Sequence, residues 1–412
     1  MRGFYLFLLV FVSLVHASEM KVRTWTSSVG TSLEAKLIKE ERGFVLLERT
    51  DGSQLSVRLD QLSSADQDYV DRATEVRGAS QIDGIAAKPG EISERITCQA
   101  DSDWHYYLYL PKDFHDARKW PVWFIMSPGG AGNPRSIQRY IEGAERLGCI
   151  LALSVESKNG FADSDLAIEA MVEDVYARLP VAEGLAFSSG MSGGSRMAYL
   201  LAERERNISG VLACGSGSGV YLKEKDFRDA ELRRSTYVYS LIGTNCFNRT
   251  GAFKSHDTFP DDYRLRFFPG GHAWAKSDLI AEGMARVLGA SLERYDGAGA
   301  ERMRHDFAKT MGSWAEGQVA NQPWEAYYWA SYLKDFPGPR ALSGDAATLA
   351  RRLESEPKVK SARAADREIL RFADEYFNIY YKEDAKPNER RLKDATRLSE
   401  KYPGIPHARI LQ

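Results

Sequence analysis

The apolar positions of the chain change their spacing twice, and each change marks a different kind of structure. From residue 23 to residue 70 they come in short runs, Leu33/Ala35/Leu37, then Phe44-Val45-Leu46-Leu47, then Leu55/Val57/Leu59, with Gly30, Gly43 and Asp51-Gly52 between them. Short alternating runs joined by glycine turns predict a small all-β barrel of about five strands over residues 22–72. Residues 73–94 are polar and mixed, with Gly78, Gly84, Pro89 and Gly90, and read as a linker. Continuous apolar runs follow at 104–110, 122–126, 150–155, 185–188, 210–213, 237–242 and 264–268, with helical spacing between several of them at 137–147, 166–179 and 197–206. Strands that are apolar on both faces and alternate with helices predict an α/β domain over 95–292, a mostly parallel, doubly wound sheet covered on both sides.

Glycine becomes rare after residue 298, and helical spacing takes over at 303–314, 323–333, 347–353, 362–381 and 389–402, punctuated by Pro337, Pro339, Pro357, Pro387 and Pro403. Residues 298–412 are therefore expected to form an α-helical C-terminal region of antiparallel hairpins without a fixed repeat. Its many aromatic residues, Trp314, Trp324, Tyr328 and Trp329 among them, are read as core between helices. At the other end, Met1-Arg2 and an apolar run over 4–15 lead to Val15-His16-Ala17, the pattern of a cleaved secretory signal over 1–17. Such a segment implies a secreted or periplasmic protein with no membrane span after cleavage.

Composition narrows the partners. The 412 residues are 43% hydrophobic and 27% charged with a formal net charge of -2, which offers no electrostatic footprint for phosphate backbones, so nucleic acid is not an expected partner. Four cysteines in a chain of this size are no disulfide framework. Neither Cys-x-x-Cys nor His-x-x-x-His spacing occurs, and no structural metal is expected.

One stretch carries chemistry. An apolar strand runs into Gly190-Met191-Ser192-Gly193-Gly194 and then directly into helix formers, Met197, Ala198, Leu200 and Leu201. That is the pattern of a nucleophile elbow, in which the serine stands on a sharp strand-to-helix turn and the flanking glycines occupy positions where a β-carbon would collide. The Gly193 amide and the helix N-terminus then point to where negative charge develops in acyl transfer. Two more pieces fall in place along the chain: Ser127-Pro128-Gly129-Gly130 after one strand, able to offer a second backbone N–H, and Pro269-Gly270-Gly271-His272 after a late one. Strand, Gly-Gly loop, serine elbow and late histidine follow each other in the order of α/β-hydrolases.

Two resemblances follow from these motifs. Arg23-x-Trp25-Thr26, Asp51-Gly52 before the run 55–59, and Leu62-Ser63-x-x-Asp66-x-x-Tyr69-Val70 resemble the Sla homology domain 1, an SH3-like module that binds proteins in endocytic adaptors; the resemblance implies a protein partner for the barrel without identifying it. Residues 95–292 resemble secreted bacterial esterases of the dienelactone-hydrolase and polyhydroxyalkanoate-depolymerase type, whose elbow reads Gly-x-Ser-Gly-Gly-x-Arg-Met. That resemblance implies Ser192 as nucleophile, His272 as general base, and the amides of Gly193 and of Gly129 or Gly130 as oxyanion hole, with an ester-type substrate and no cofactor. It also exposes a departure: where the relatives read Gly-x-x-Asp-Phe-Asn, this chain reads Gly243-Thr244-Asn245-Cys246-Phe247-Asn248. A neutral group can orient imidazole but cannot balance imidazolium, and an Asp to Asn change in a serine-protease triad costs ~10⁴ in rate. Asp257 is the nearest later carboxylate and stands as the substitute acid, with His256 beside it as the next base to consider should His272 not serve.

The sequence thus leads to a secreted serine-dependent carboxylic ester hydrolase working through an acyl-enzyme at Ser192. The alternatives are a peptidase on the same elbow, and a hydrolase-like binding or scaffolding protein that has lost efficient chemistry, for which Cys246 is the motive.

Overall fold

The computed structural model describes residues 22–41, 43–75, 85–216, 236–243, 245–248, 263–297, 299–377 and 389–402. The signal segment and most of the linker lie outside them. Two compact units emerge, 1–77 and 78–412.

The first unit is an antiparallel sheet of four strands, β1 (Arg23–Thr26), β2 (Ser32–Glu41), β3 (Phe44–Arg49) and β4 (Gln54–Arg58), in the order β1-β2-β3-β4. A lone antiparallel bridge between Ser27 and Leu62 brings the end of the strand run back to β1. The expected fifth strand is instead the helix α1 (Ser64–Glu75). The reason is a cap: Asp66 N–H donates to Ser63 Oγ at 3.3 Å while Ser63 Oγ donates to Asp66 Oδ2 at 2.9 Å, a reciprocal pair that starts a helix. Asp66 also accepts from Thr26 N–H and from Arg23, each at 2.6 Å, so this one buried carboxylate ties α1 to β1. Trp25 is core, with its indole N–H donating to Ala35 O at 3.0 Å.

The second unit is built on eight strands: β5 (Ile96–Thr97), β6 (His105–Tyr109), β7 (Trp120–Met126), β8 (Ile150–Ser154), β9 (Val181–Met191), β10 (Ile208–Cys214), β11 (Tyr237–Gly243) and β12 (Tyr263–Phe268). Their spatial order is β5-β6-β8-β7-β9-β10-β11-β12, antiparallel at β5-β6 and β6-β8 and parallel in every later pair, which is the α/β-hydrolase arrangement. The helices are α2 (Arg135–Gln138), α3 (Ile141–Leu147), α4 (Ser164–Arg178), α5 (Gly193–Arg204) and α6 (Ser277–Arg294). The single helical run expected over 137–147 is broken at Arg139-Tyr140, and α6 answers to no helix read from the sequence.

Successive strand residues point to opposite faces of the sheet. On one face Val122, Phe124, Ala152, Ala186 and Val211 pack with Met171 and Val175 of α4 and Ala198 and Tyr199 of α5. On the other, Trp123, Leu151, Phe187 and Leu212 pack with Ala144 of α3 and Met284 and Leu288 of α6. The C-terminal helices α7 (Ala300–Gln318), α8 (Pro323–Leu333) and α9 (Arg340–Glu354) extend that second core with Phe307, Met311, Trp329, Leu333 and Leu349. They are followed by α10 (Pro357–Phe377) and α11 (Glu389–Lys401). Trp329 is fully buried, and the guanidinium of Arg286 from α6 lies 4.0 Å from the ring centre of Tyr332, so the aromatic residues of α8 serve as core. Arg266 of β12 is clasped by Glu282 at 3.2 Å and Glu325 at 2.8 Å, joining sheet, α6 and α8 by a buried ionic cluster.

Candidate active site

Ser192 sits between β9 and α5 with φ 55° and ψ -115°, the one non-glycine residue among those described with positive φ. A side chain in such a conformation costs of order 1–3 kcal/mol and persists only where the surroundings enforce it. Here they do. Ser192 N–H donates to Cys214 O at 2.8 Å, and Ser195 Oγ lies 2.8 Å from both Gly190 O and Cys214 O, pinning the first turn of the helix to β9 and β10. A β-carbon at Gly190 would stand 2.4 Å from the Gly194 carbonyl carbon, and one at Gly194 would stand 2.3 Å from Met126 O. The two outer glycines of the motif are therefore required by contact between helix, elbow and neighbouring strand.

His272 arrives on the loop after β12, and its Nε2 lies 2.8 Å from Ser192 Oγ. The loop is braced by Asn245 N–H donating to Gly270 O at 2.8 Å, which ties the turn after β11 to the turn after β12. On the other side of the imidazole, Nδ1 lies 3.1 Å from Cys246 Sγ. Cys246 is fully buried, and its sulfur is 3.7 Å from Gly215 O. The geometry is consistent with a thiol that donates to Gly215 O while its sulfur accepts from Nδ1–H, which fixes the tautomer that leaves Nε2 free to accept from serine. The serine, imidazole and thiol stand in line, with sulfur where a carboxylate oxygen normally stands. Burial, then the positive charge of Arg196, holds the imidazole below its ordinary value of 6.5, so it is neutral near pH 7 and available as a base.

The two glycines of the 127–130 loop are not equivalent. Gly130 N–H closes the turn by donating to Ser127 O at 3.2 Å. Gly129, which bridges Lys158, has no acceptor for its amide among the described residues, and neither has Gly193 at the start of α5. Amides without an acceptor and the positive end of a helix are the donors an oxyanion requires, and Gly130 closes its own turn instead.

Asp257 and His256 lie outside the described residues. The other described histidines stand away from this cluster: His105 pairs with Glu156 at 2.9 Å, His115 is buried against Trp120, and His305 is 3.3 Å from Asp306. Two neighbours of the site were not singled out in the sequence. Asn159 N–H donates to Pro128 O at 2.9 Å, and its Oδ1 crowds Gly193 so closely that a β-carbon there would lie 1.6 Å from it. Phe247 stacks on His272 with ring centres 4.1 Å apart and planes tilted by 35°. No sequence signal marks Asn159, whereas Phe247 stands where the resembling esterases also carry phenylalanine, and its contact with His272 is visible only in the fold. Cys98, Cys149 and Cys214 are buried thiols, and burial pushes each up to about 12. Among the described residues no group of three or more metal-ligating side chains occurs, and no helix is long and apolar enough to cross a membrane.

A family model, SLA1 homology domain 1, matches residues 15–77. The first unit is similar to that module. No curated protein matches the chain. Among solved structures, a ferulic acid esterase is 14% identical, with a TM-score of 0.41 over 49% of this chain and 98% of its own. A substrate-bound fluorophosphonate-binding serine hydrolase F of Staphylococcus aureus is 12% identical, with a TM-score of 0.40 over 48% and 99%. A ferulic acid esterase of Anaeromyces mucronatus in complex with ferulic acid is 13% identical, with a TM-score of 0.37 over 52% and 94%.

Proposed function

We propose that this chain is a secreted serine-dependent carboxylic ester hydrolase, its catalytic part spanning 95–292 between a protein-binding barrel over 22–72 and a helical region from 298. The observation that carries the reading is His272 Nε2 at 2.8 Å from the hydroxyl of a serine held at positive φ at a helix N-terminus. Nucleophile and base are within the reach that general-base activation requires. As Ser192 Oγ attacks the ester carbonyl carbon, its proton passes to Nε2, and the carbonyl oxygen takes up negative charge against the amides of Gly193 and Gly129. The imidazolium then returns that proton to the departing alcohol, leaving Ser192 acylated. Water repeats the sequence and releases the acid. Throughout, Cys246 Sγ accepts the Nδ1 hydrogen and keeps the ring oriented, a weaker support than a carboxylate because it carries no full charge as a thiol. The secretory reading rests on the basic start and apolar run of residues 1–17.

A second reading has one specific observation in its favour. Sulfur in the acid position fits a protein that keeps the hydrolase framework for binding and has shed turnover. Hydrolysis of p-nitrophenyl acetate by the full chain and by Ser192→Ala separates the two. Turnover that disappears in the variant supports the esterase, and equal background rates in both remove the esterase reading.

A further inference from the structure

Phe247 is an exposed phenyl ring that belongs to no core cluster among the described residues. Its neighbours in sequence are both anchored inward: Cys246 is fully buried with its sulfur against His272, and Asn248 is 9% exposed and donates from Nδ2 to Gly215 O at 2.9 Å. Between these two inward anchors the turn leaves the ring pointing outward. It lands on the imidazole, ring centres 4.1 Å apart, yet keeps 71% of its surface exposed. A ring that rests one side on His272 and remains this exposed holds its other face open.

The chemistry of the step defines what arrives at that face. The departing oxygen of the ester must come within about 3 Å of Nε2 to receive its proton. The carbonyl oxygen is meanwhile drawn to the amides of Gly193 and Gly129, at the helix N-terminus, so the acyl part lies on the serine side and the alcohol part on the histidine side. The first atoms of the alcohol beyond its oxygen are then beside the Phe247 ring. A flexible alkyl alcohol gains little from a rigid flat surface, whereas a ring with a flat C–H or π face stacks on it.

We propose that Phe247 is a specificity-determining platform for the leaving alcohol, and that the preferred substrates are esters of alcohols carrying a ring with an apolar face, aryl or sugar. The proposal rests on the esterase reading of the same site.

The test uses the full chain and three acetates that share one acyl group and pass through one acetyl-enzyme: benzyl acetate, 6-O-acetylglucose, and ethyl acetate as the ringless reference. The quantity read is the ratio of kcat/KM for each ring ester to that for ethyl acetate, so that any general disturbance of His272 cancels. Phe247→Ala is expected to lower at least one ratio by about 10-fold. Phe247→Leu, which keeps apolar bulk and removes the flat face, is expected to lower the same ratio, and Phe247→Tyr to preserve it. A fall confined to benzyl acetate makes the ring aryl, and a fall confined to the sugar ester makes it a sugar. Ratios unchanged in both Phe247→Ala and Phe247→Leu overturn the proposal and reduce Phe247 to a prop for the imidazole. Failure of the unmodified protein to hydrolyse any of the three overturns the esterase reading itself, and the platform with it.

Discussion

The two sides of the candidate triad are built in opposite ways. On the serine side, the backbone does the specifying: positive φ at Ser192, two glycines whose β-carbons would strike carbonyl groups, and hydrogen bonding by Ser192 N–H and the Ser195 hydroxyl that holds the elbow to β9 and β10. On the acid side, specification comes down to a single side chain, Cys246, on a turn that accepts sulfur in place of oxygen with its backbone bond, Cys246 N–H to Gly243 O at 2.9 Å, in place. A site element written into the backbone resists substitution and announces itself in the sequence. One written into a side chain can drift while the framework around it stays.

The comparison breaks first if the serine side is wrong. Ser192→Ala is expected to lower kcat on p-nitrophenyl acetate by at least ~10², since the serine, base and support act as a unit and the weakened support leaves less than the full ~10⁶ of an intact triad to lose. His272→Ala should match it, and the double variant should be no worse than either. Equal activity in His272→Ala and the unmodified protein would remove His272 from the mechanism.

The second effect tests the backbone argument. Gly194→Ala introduces a β-carbon 2.3 Å from Met126 O, so helix α5 must shift. A loss of about 1–3 kcal/mol in unfolding free energy is expected, as for overpacking elsewhere, together with loss of esterase activity. Cys246→Ala, by contrast, should retain the fold and still react at Ser192. If both variants behaved alike, the contrast between the two sides would collapse.

Third, Cys246→Asp should raise kcat by ~10-fold, short of the ~10⁴ that a tuned carboxylate supplies, because the surrounding groups are not arranged to hold it. Its pH profile carries an independent sign. In the unmodified protein burial and Arg196 keep the His272 imidazole below 6.5, so activity is lost only as pH falls through that depressed value. A carboxylate on Nδ1 favours imidazolium, and the acid limb in Cys246→Asp should move to higher pH. A rise in rate with no movement of the limb would mean that the new group acts elsewhere. If Asp257 already serves as the acid, the substitution should leave the rate unchanged or lower it, and Asp257→Asn should be severely impaired.

The smallest effect concerns the helical region that shares the hydrolase core. Burial first, then the neighbouring Glu282 carboxylate, raises Glu325 to about 7 from an ordinary 4.5. A carboxyl group raised by folding contributes stability that is complete below 4.5 and is lost as pH rises through about 7. Thermal unfolding should therefore show Tm falling across that window, and Glu325→Gln should flatten the fall. An identical slope in the variant would place the titrating group elsewhere.

What the sequence revealed follows the same division. The elbow, the Gly-Gly loop and the late histidine were legible because glycine is forced by close approach and because their order along the chain matches the order of strands in the sheet. Helix α6 was not. Its apolar residues Ile280, Met284, Val287, Leu288 and Leu292 do recur at helical spacing, but it carries Gly283 and Gly289, where a β-carbon would meet Leu212 Cδ1 at 2.5 Å and Phe307 Cζ at 2.7 Å. Close packing demanded residues that read as helix breakers. The fifth strand expected within residues 22–72 is replaced by α1, which the Ser63–Asp66 cap starts. Gly130 could not be told from Gly129 until the turn bond to Ser127 O was visible, and Phe247, although it falls on the phenylalanine of the resembling motif, gained a role only with His272 stacked against it.

The central claim, a serine made nucleophilic by an imidazole that a thiol orients, is tested most directly by covalent capture. The full chain treated with a fluorophosphonate and read by intact mass and peptide mapping should gain one phosphonyl group on Ser192, and Ser192→Ala should gain none. Labelling that persists in Ser192→Ala, or no labelling of the unmodified protein at any pH above the titration of His272, would contradict it.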